Sequence, residues 1–295
     1  MLTAWSSSKY TFPLPDGHRF PISKYAMLRQ RVAALGITIN DPPAATDEQL
    51  LLVHTDDYVT RFNAGTLTDA EVRRLGFPWS PALVERSRRA VGGTIAAAAH
   101  ALSHGVSMNL AGGTHHAFAD HGEGFCVYND IAVAIRVLQH AILARRAAVV
   151  DLDVHQGNGT HSIFAGDANV FTFSMHGGKN YPFHKVAGDL DVELPDATGD
   201  DDYMAALQHA LPEVLSRAAP DIVFYIAGAD PHDGDTLGRL ALSFDGLARR
   251  DAYVLQQCRE VGIPVAITIG GGYGRRIEDT VAVHTQTARI ASTFP

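Results

Sequence analysis

Ala147-Ala148-Val149-Val150-Asp151-Leu152-Asp153-Val154-His155-Gln156-Gly157-Asn158-Gly159 is the stretch on which the reading of the fold turns. Its first half is a short, wholly apolar run, as expected of a strand covered on both faces. Its second half turns abruptly polar and then glycine-rich, as where a parallel strand runs out toward a ligand. Alternate residues of a strand share a face, so Asp151, Asp153 and His155 would project together as the strand ends.

Moving outward, the same apolar-then-polar pattern recurs at Val106–Leu110, Val170–Phe173, Ile222–Ile226 and Val265–Ile269. Helical patterns separate these runs at Pro81–Ser103, Asp130–Ala144, Tyr203–Arg217 and Leu247–Val261, with Asn129 and Asp245 read as caps and Pro212 as a break in the third helix. Val186–Asp202, rich in Asp, Gly and Pro, reads as a surface connection. Strands alternating with helices predict an α/β fold: three layers, α/β/α, around a mostly parallel central sheet. No low-complexity linker interrupts the chain, so residues 1–295 are expected to form a single domain.

Composition narrows the function. A hydrophobic content of 46% is enough for a large core, and a formal charge of −8 argues against a basic nucleic-acid surface while suiting a cationic substrate. Two cysteines, Cys126 and Cys258, make neither a disulfide framework nor a thiolate metal site. Met1–Tyr10 lacks the regions of a secretory signal and no apolar run is long enough for a membrane span, so a cytoplasmic protein without membrane contact is expected.

The chemistry-bearing residues follow four of the strand candidates: Gly112-Gly113-Thr114-His115-His116, Asp151 to His155, Gly228-Ala229-Asp230 and Gly271-Gly272-Tyr273. Two of Asp151, Asp153 and His155 can reach one ion, and Asp230 is the best candidate for a third ligand from another strand end. Two carboxylates and one imidazole suit zinc, with iron(II) or cobalt(II) also compatible by ligand type. Burying Asp151, Asp153 and Asp230 together would cost several kcal/mol per ion without a compensating cation, on the order expected for desolvated charges. Either His115 or His116 would serve as acid and base for water activated by the metal, with Asp151 and Asn158 as partners for the remaining ring nitrogens, the Asp-paired imidazole being the more readily protonated. Tyr273 would hydrogen-bond a carbonyl oxygen as charge develops there.

The ordered set of motifs resembles the histone deacetylase family of the arginase/deacetylase fold. It includes Gly17-His18-Arg19-Phe20-Pro21 with Lys24-Tyr25, His54-Thr55 with Tyr58, Gly112 to Ala117, Gly124-Phe125-Cys126 with Asn129-Asp130, Asp151 to Gly159, Thr198-Gly199-Asp200, Gly228 to Pro231 and Gly271 to Tyr273. The nearest likeness is to class IV deacetylases and their bacterial relatives. The resemblance implies a zinc-dependent deacylase with Asp153, His155 and Asp230 as ligands and His116 as general acid/base. It makes His115 an electrostatic companion paired with Asp151, and Tyr273 the carbonyl polariser. It further implies an acyl-lysine tunnel at Gly124, Phe125 and Tyr181, and a structural K+ or Na+ near Asp151 and Ser174. Asn158 stands where class I members carry Asp, so a less basic His116 is expected. The implied partner is an acyl-lysine peptide or a small acylated amine such as an acetylpolyamine, with no direct nucleic-acid contact and the oligomeric state open. The manganese pattern Asp-Ala-His-x-Asp of ureohydrolases of this fold is absent. A non-catalytic acyl-lysine binder is the alternative of a different class.

Overall fold

The computed structural model describes residues 2–294. Its strands are β1 (Thr3–Trp5), β2 (Thr38–Asn40), β3 (Val106–Asn109), β4 (Ala147–Asp151), β5 (Val170–Gly177), β6 (Leu190–Leu194), β7 (Ile222–Ile226) and β8 (Val265–Thr268). Its helices are α1 (Lys24–Ala34), α2 (Asp47–Leu50), α3 (Asp56–Ala64), α4 (Asp69–Leu75), α5 (Pro81–His104), α6 (Asp130–His140), α7 (Asn158–Phe164), α8 (Asp200–Ala218), α9 (Phe244–Glu260) and α10 (Ile277–Ala291).

The strands form one sheet in the order β2-β1-β3-β8-β7-β4-β5-β6. Every pairing is parallel. The fold is therefore the expected three-layer α/β/α, with a sheet that is wholly rather than mostly parallel. Parallel strands need long crossovers, and the helices that supply them cover both faces. β3, β4, β7 and β8 are buried along their whole length and, apart from Ser107, Asn109, Asp151 and Thr268, carry apolar side chains. On one face Met108, Val150, Tyr225 and Ile267 pack with α1, α8, α9 and α10. On the other Val149, Phe224, Ile226 and Ala266 pack with α5, α6 and α7. Each large apolar side chain so buried contributes about 1.5–3 kcal/mol. A third cluster, including Tyr58, Phe62, Leu75 and Phe77, joins α3, α4 and the loop beyond to α5 and α6.

Several sequence expectations are corrected. Val186–Asp202 contains a strand, β6, which pairs with β5 from Phe173↔Leu190 to Gly177↔Leu194. Its pattern is weak because it lies at the sheet edge, half exposed, where apolar composition is not required. Pro212 does not break α8, which runs continuously through it. Pro212 and Gln208 one turn earlier are both exposed, so water can satisfy the carbonyl that proline leaves unpaired. The cap of α9 is Ser243, whose side chain accepts from the Gly246 N–H, while Asp245 sits in the first turn. Asn129 caps α6 as expected, accepting from Ala132. Strands β1 and β2 are three residues each and helices α1 to α4, α7 and α10 were not anticipated.

One buried ion pair ties the core to the sheet edge where the functional motifs lie. Arg250 on α9 is fully buried; its guanidinium donates to Asp251 (2.9 Å), Gly228 O (2.7 Å) and Leu152 O (3.3 Å). Asp251 also accepts from the Tyr225 hydroxyl at 2.5 Å and from Thr287 at 2.6 Å. Truncating one member of such a pair leaves a buried charge uncompensated, so Arg250→Met should lower the unfolding free energy by about 3–5 kcal/mol. Urea unfolding checks this, and a midpoint equal to wild type at unchanged m-value would contradict it.

Candidate active site

The four central strands, β3, β8, β7 and β4, end side by side, and their following loops carry the functional motifs. The chain crosses between the two halves of the sheet in this region, which places the motifs at a switch point.

After β4 the backbone folds back on its own carboxylates. Asp151 accepts from the Asp153 N–H at 3.1 Å, and Asp153 accepts from the His155 N–H at 3.0 Å. After β7, Asp230 accepts from the Val154 N–H at 2.9 Å, which ties the two loops together. After β8, the Gly271 N–H donates to Asp153 at 2.6 Å. These glycines are required by space: a Cβ on Gly271 would collide with Asp230 Oδ2, and one on Gly228 would lie 2.7 Å from the Asp153 Cα.

Asp153, His155 and Asp230 each offer a ligand atom within 4.8 Å of the others, and all three are buried. Asp230 Oδ2 has no hydrogen bond of its own although it is buried, and lies 3.3 Å from His155 Nδ1. His155 Nδ1 also lies 2.9 Å from Asp153 Oδ1. Two carboxylates and one imidazole crowded in this way, one oxygen unpartnered, fit a divalent cation. Burial and then the charge of Asp153 push Asp230 up to about 7. Burial opposes protonation of His155, but Asp153 and Asp230 outweigh it and hold the imidazole up to about 10.

The two adjacent histidines are separated by their partners. His115 Nδ1 lies 2.6 Å from Asp151 Oδ2, and His116 Nδ1 lies 2.6 Å from Asn158 Oδ1. Burial disfavours the charged form of both. For His115 the Asp151 and Asp153 carboxylates overcome it and hold the imidazole up to about 9. His116 is held well below the ordinary value by burial and by the neighbouring His115 and His155. The expected difference between the two rings is thus present, with the Asp-paired one the more basic.

A cavity of about 510 Å³ opens onto these groups, lined among others by His115, His116, Asp153, His155, Gly124, Phe125, Tyr181 and Tyr273. The Tyr181 ring meets His116 edge-on at 4.9 Å, and Phe125 lies 6.0 Å from Tyr273. Phe125 holds a left-handed backbone at φ 66°, unfavourable for a non-glycine residue, fixed by its N–H bond to Leu75 O at 2.9 Å. A Cβ on Gly124 would stand 2.8 Å from the His116 ring. Tyr273 is held on both sides of its peptide: its N–H donates to Asp235 at 2.6 Å and its carbonyl accepts from Thr236. Burial pushes its phenol well above the ordinary value. Ser174 lies opposite Asp151 in the β4–β5 register, buried beneath the site, with its hydroxyl 2.9 Å from His176 Nδ1.

Four structural residues went unrecognised as such from sequence. Asp130 accepts from the Gly113 and Thr114 N–H groups at 3.2 and 2.7 Å and so shapes the loop before His115. Asp235 pins the Tyr273 loop, Arg250 supports both ligand loops from below, and Glu123 receives the Asn158 amide at 2.7 Å. Each makes its contact across a long span of chain, so spacing carries no signal for it. Cys126 and Cys258 are free and buried, and no helix among the described residues is long and apolar enough to cross a membrane.

Residues 18–288 match the family described as the histone deacetylase domain. An uncharacterized protein of Picosynechococcus sp. is 48% identical over 286 residues, covering 96% of this chain and 95% of that one. Histone deacetylase 2 of Arabidopsis thaliana is 35% identical over 87% of this chain and 70% of its own length. The crystal structure of an HDAC homolog from Aquifex aeolicus superposes with a TM-score of 0.85 at 25% identity, covering 100% of this chain and 84% of that one.

Loading the site with a cation must displace protons. His155 and Asp230 both need to be unprotonated to act as ligands, and their raised values of about 10 and about 7 mean that below neutrality both carry protons that a cation must displace. Divalent-cation affinity should therefore rise with pH up to about 10, most steeply below about 7 where two protons must leave on binding. Calorimetry in buffers of different ionisation enthalpy reads this, and pH-independent affinity would contradict it. Asp230→Asn should lower the bound metal, measured by elemental analysis, while leaving the circular dichroism of the fold unchanged.

Proposed function

The chain belongs to the histone deacetylase family, metal-dependent hydrolases that act on amides, and we propose that it removes the acyl group from the side-chain nitrogen of acyl-lysine. The observation that carries this reading is the cavity itself. One cavity is lined both by the rings of Phe125 and Tyr181 and by His115, His116, Asp153, His155 and Tyr273. An extended, uncharged acyl-lysine side chain suits such a cavity, its methylenes against the rings and its amide at the histidines and Tyr273.

Asp153, His155 and Asp230 would hold the divalent cation, Zn2+ by preference and Fe2+ as the alternative. Bound there, the cation supplies Lewis acidity, polarising the scissile carbonyl and acidifying water. The remaining steps are assigned to side chains. With Nδ1 committed to Asn158, His116 keeps Nε2 as its free nitrogen, and burial, the largest cause lowering its basicity, favours the neutral ring that accepts a proton from water. The same nitrogen then returns the proton to the departing lysine amine. His115, charged through Asp151, lowers the energy of negative charge forming beside it. Tyr273, kept protonated by burial, donates to the carbonyl oxygen as that charge builds. A K+ or Na+ near Asp151 and Ser174 completes the reading, supported by their pairing in register across β4 and β5.

A polyamine fits less well. The overall charge of −8 is not repeated along the cavity, where Arg19, Lys24, Arg86, Lys179 and Arg239 are lining residues. Among the described lining residues Asp153 alone is acidic. That field repels a polycation but tolerates a neutral acylated side chain.

Tyr273→Phe and His116→Ala should each lower turnover of an acetyl-lysine peptide at least about a hundredfold, the scale set by loss of one oxyanion donor or one general base. Metal content should stay at the wild-type level. Near-normal rates in either variant would remove the assigned role. Equal or faster turnover of acetylpolyamines than of acyl-lysine peptides by the wild type would overturn the substrate assignment.

A further inference from the structure

An asparagine is an ambiguous partner for a histidine, because its carboxamide presents an acceptor at one end and a donor at the other. If Asn158 offered oxygen, His116 Nδ1 would carry the hydrogen and Nε2 would be free to accept a proton. If it offered nitrogen, the tautomer would invert and the ring would be useless as a base. The far end of Asn158 settles which holds. Its Nδ2 lies 2.7 Å from Glu123 Oε1, and a carboxylate only accepts. The nitrogen must therefore face Glu123 and the oxygen His116, in line with the 2.6 Å contact to Nδ1.

Resting on the reading of His116 as the general base, we propose that Glu123 is a positioning residue for the reaction, setting the His116 tautomer through the carboxamide of Asn158. The relay is shielded: Asn158 is 3% exposed and the Glu123 side chain 14%. The segment bearing Glu123 is anchored independently of the site, with Gly124 N–H donating to Arg74 O at 3.2 Å and Phe125 N–H to Leu75 O at 2.9 Å, both at the end of α4. Cys126 N–H closes the turn onto Glu123 O at 2.9 Å. The second carboxylate oxygen stands 3.8 Å from His121 Nε2. The Tyr181 hydroxyl also faces this carboxylate; burial and then Glu123 push that phenol above its ordinary value. One carboxylate thus bonds the relay to the base and also raises the phenol of Tyr181, a residue lining the cavity.

The test exploits the difference between a carboxylate and its isosteric amide. In Glu123→Gln the new side chain accepts or donates equally, so Asn158 is free to turn over. The metal-loaded protein labelled with 15N-histidine should then show His116 moving from the Nδ1–H form to a mixture of tautomers. The kcat should fall about 10- to 100-fold, as for loss of a partner that orients an imidazole, with KM little changed. Metal content and melting temperature should match wild type. Adding Asn158→Asp to Glu123→Gln restores an obligate acceptor directly at Nδ1, and should recover the Nδ1–H form and most of kcat. A packing defect at the 122–126 turn would not be rescued in this way. The proposal fails if Glu123→Gln keeps the wild-type tautomer and kcat, or if the double variant is no better than the single one. Turnover surviving in His116→Ala would remove the general-base reading, and this inference with it, and is distinguishable because it does not depend on residue 123.

Discussion

Three carboxylates, those of Asp151, Asp153 and Asp230, lie buried at the ends of two adjacent strands, and much of the surrounding structure follows from the need to compensate them. In a medium that solvates charge poorly, each costs several kcal/mol unless it is paired or hydrogen-bonded. The chain meets this need in layers. Backbone N–H groups of Asp153, Val154, His155 and Gly271 donate to the carboxylates, and His115 and His155 stand beside them. Beneath, Arg250 holds the carbonyls of Leu152 and Gly228, so the loops that aim those N–H groups are themselves braced from the core. What is left unsatisfied, Asp230 Oδ2, points to a cation.

The same electrostatics separates two chemically identical neighbours. His115 and His116 have ring centroids 4.2 Å apart and are equally buried. They differ in what the second nitrogen meets: a carboxylate in one case, a carboxamide in the other. A raised His115 then helps to depress His116 by direct repulsion. One ring is thus more basic than the ordinary imidazole and the other less so, and neither property belongs to the residue apart from its partner.

Much of the fold was legible because the central strands are buried on both faces. Ala147–Val150 and Ile222–Ile226 can tolerate only apolar side chains, so their pattern is unmistakable. Among the strands, those that escaped notice are short or lie at an edge, where this constraint is weak. β6 is half exposed at an edge, β1 and β2 are three residues long, and α8 passes through Pro212 because the carbonyl affected faces water. Asp245 looked like a cap and Ser243 is one, since which side chain meets the first-turn N–H depends on the backbone angle of entry.

The candidate site divides the same way. Sequence by itself brought out Asp153, His155 and Asp230, the adjacent histidines and Tyr273 as candidates, because strand ends gather at one edge, although β4 stops at Asp151 and it is the bend after it, not strand alternation, that carries Asp153 and His155. It also determined the family, through an ordered set of local motifs. Only the tertiary structure decided how Asn158 is turned, that Asp235 holds the backbone of Tyr273, and that Glu123 and Arg250 contact the loops of the candidate site. Those contacts close loops of 35 residues for Asn158 to Glu123, 38 for Tyr273 to Asp235 and 98 for Arg250 to Leu152. A hydrogen bond is directional and reaches about 3 Å, so it is specified by the folded positions of its two ends and by nothing periodic along the chain.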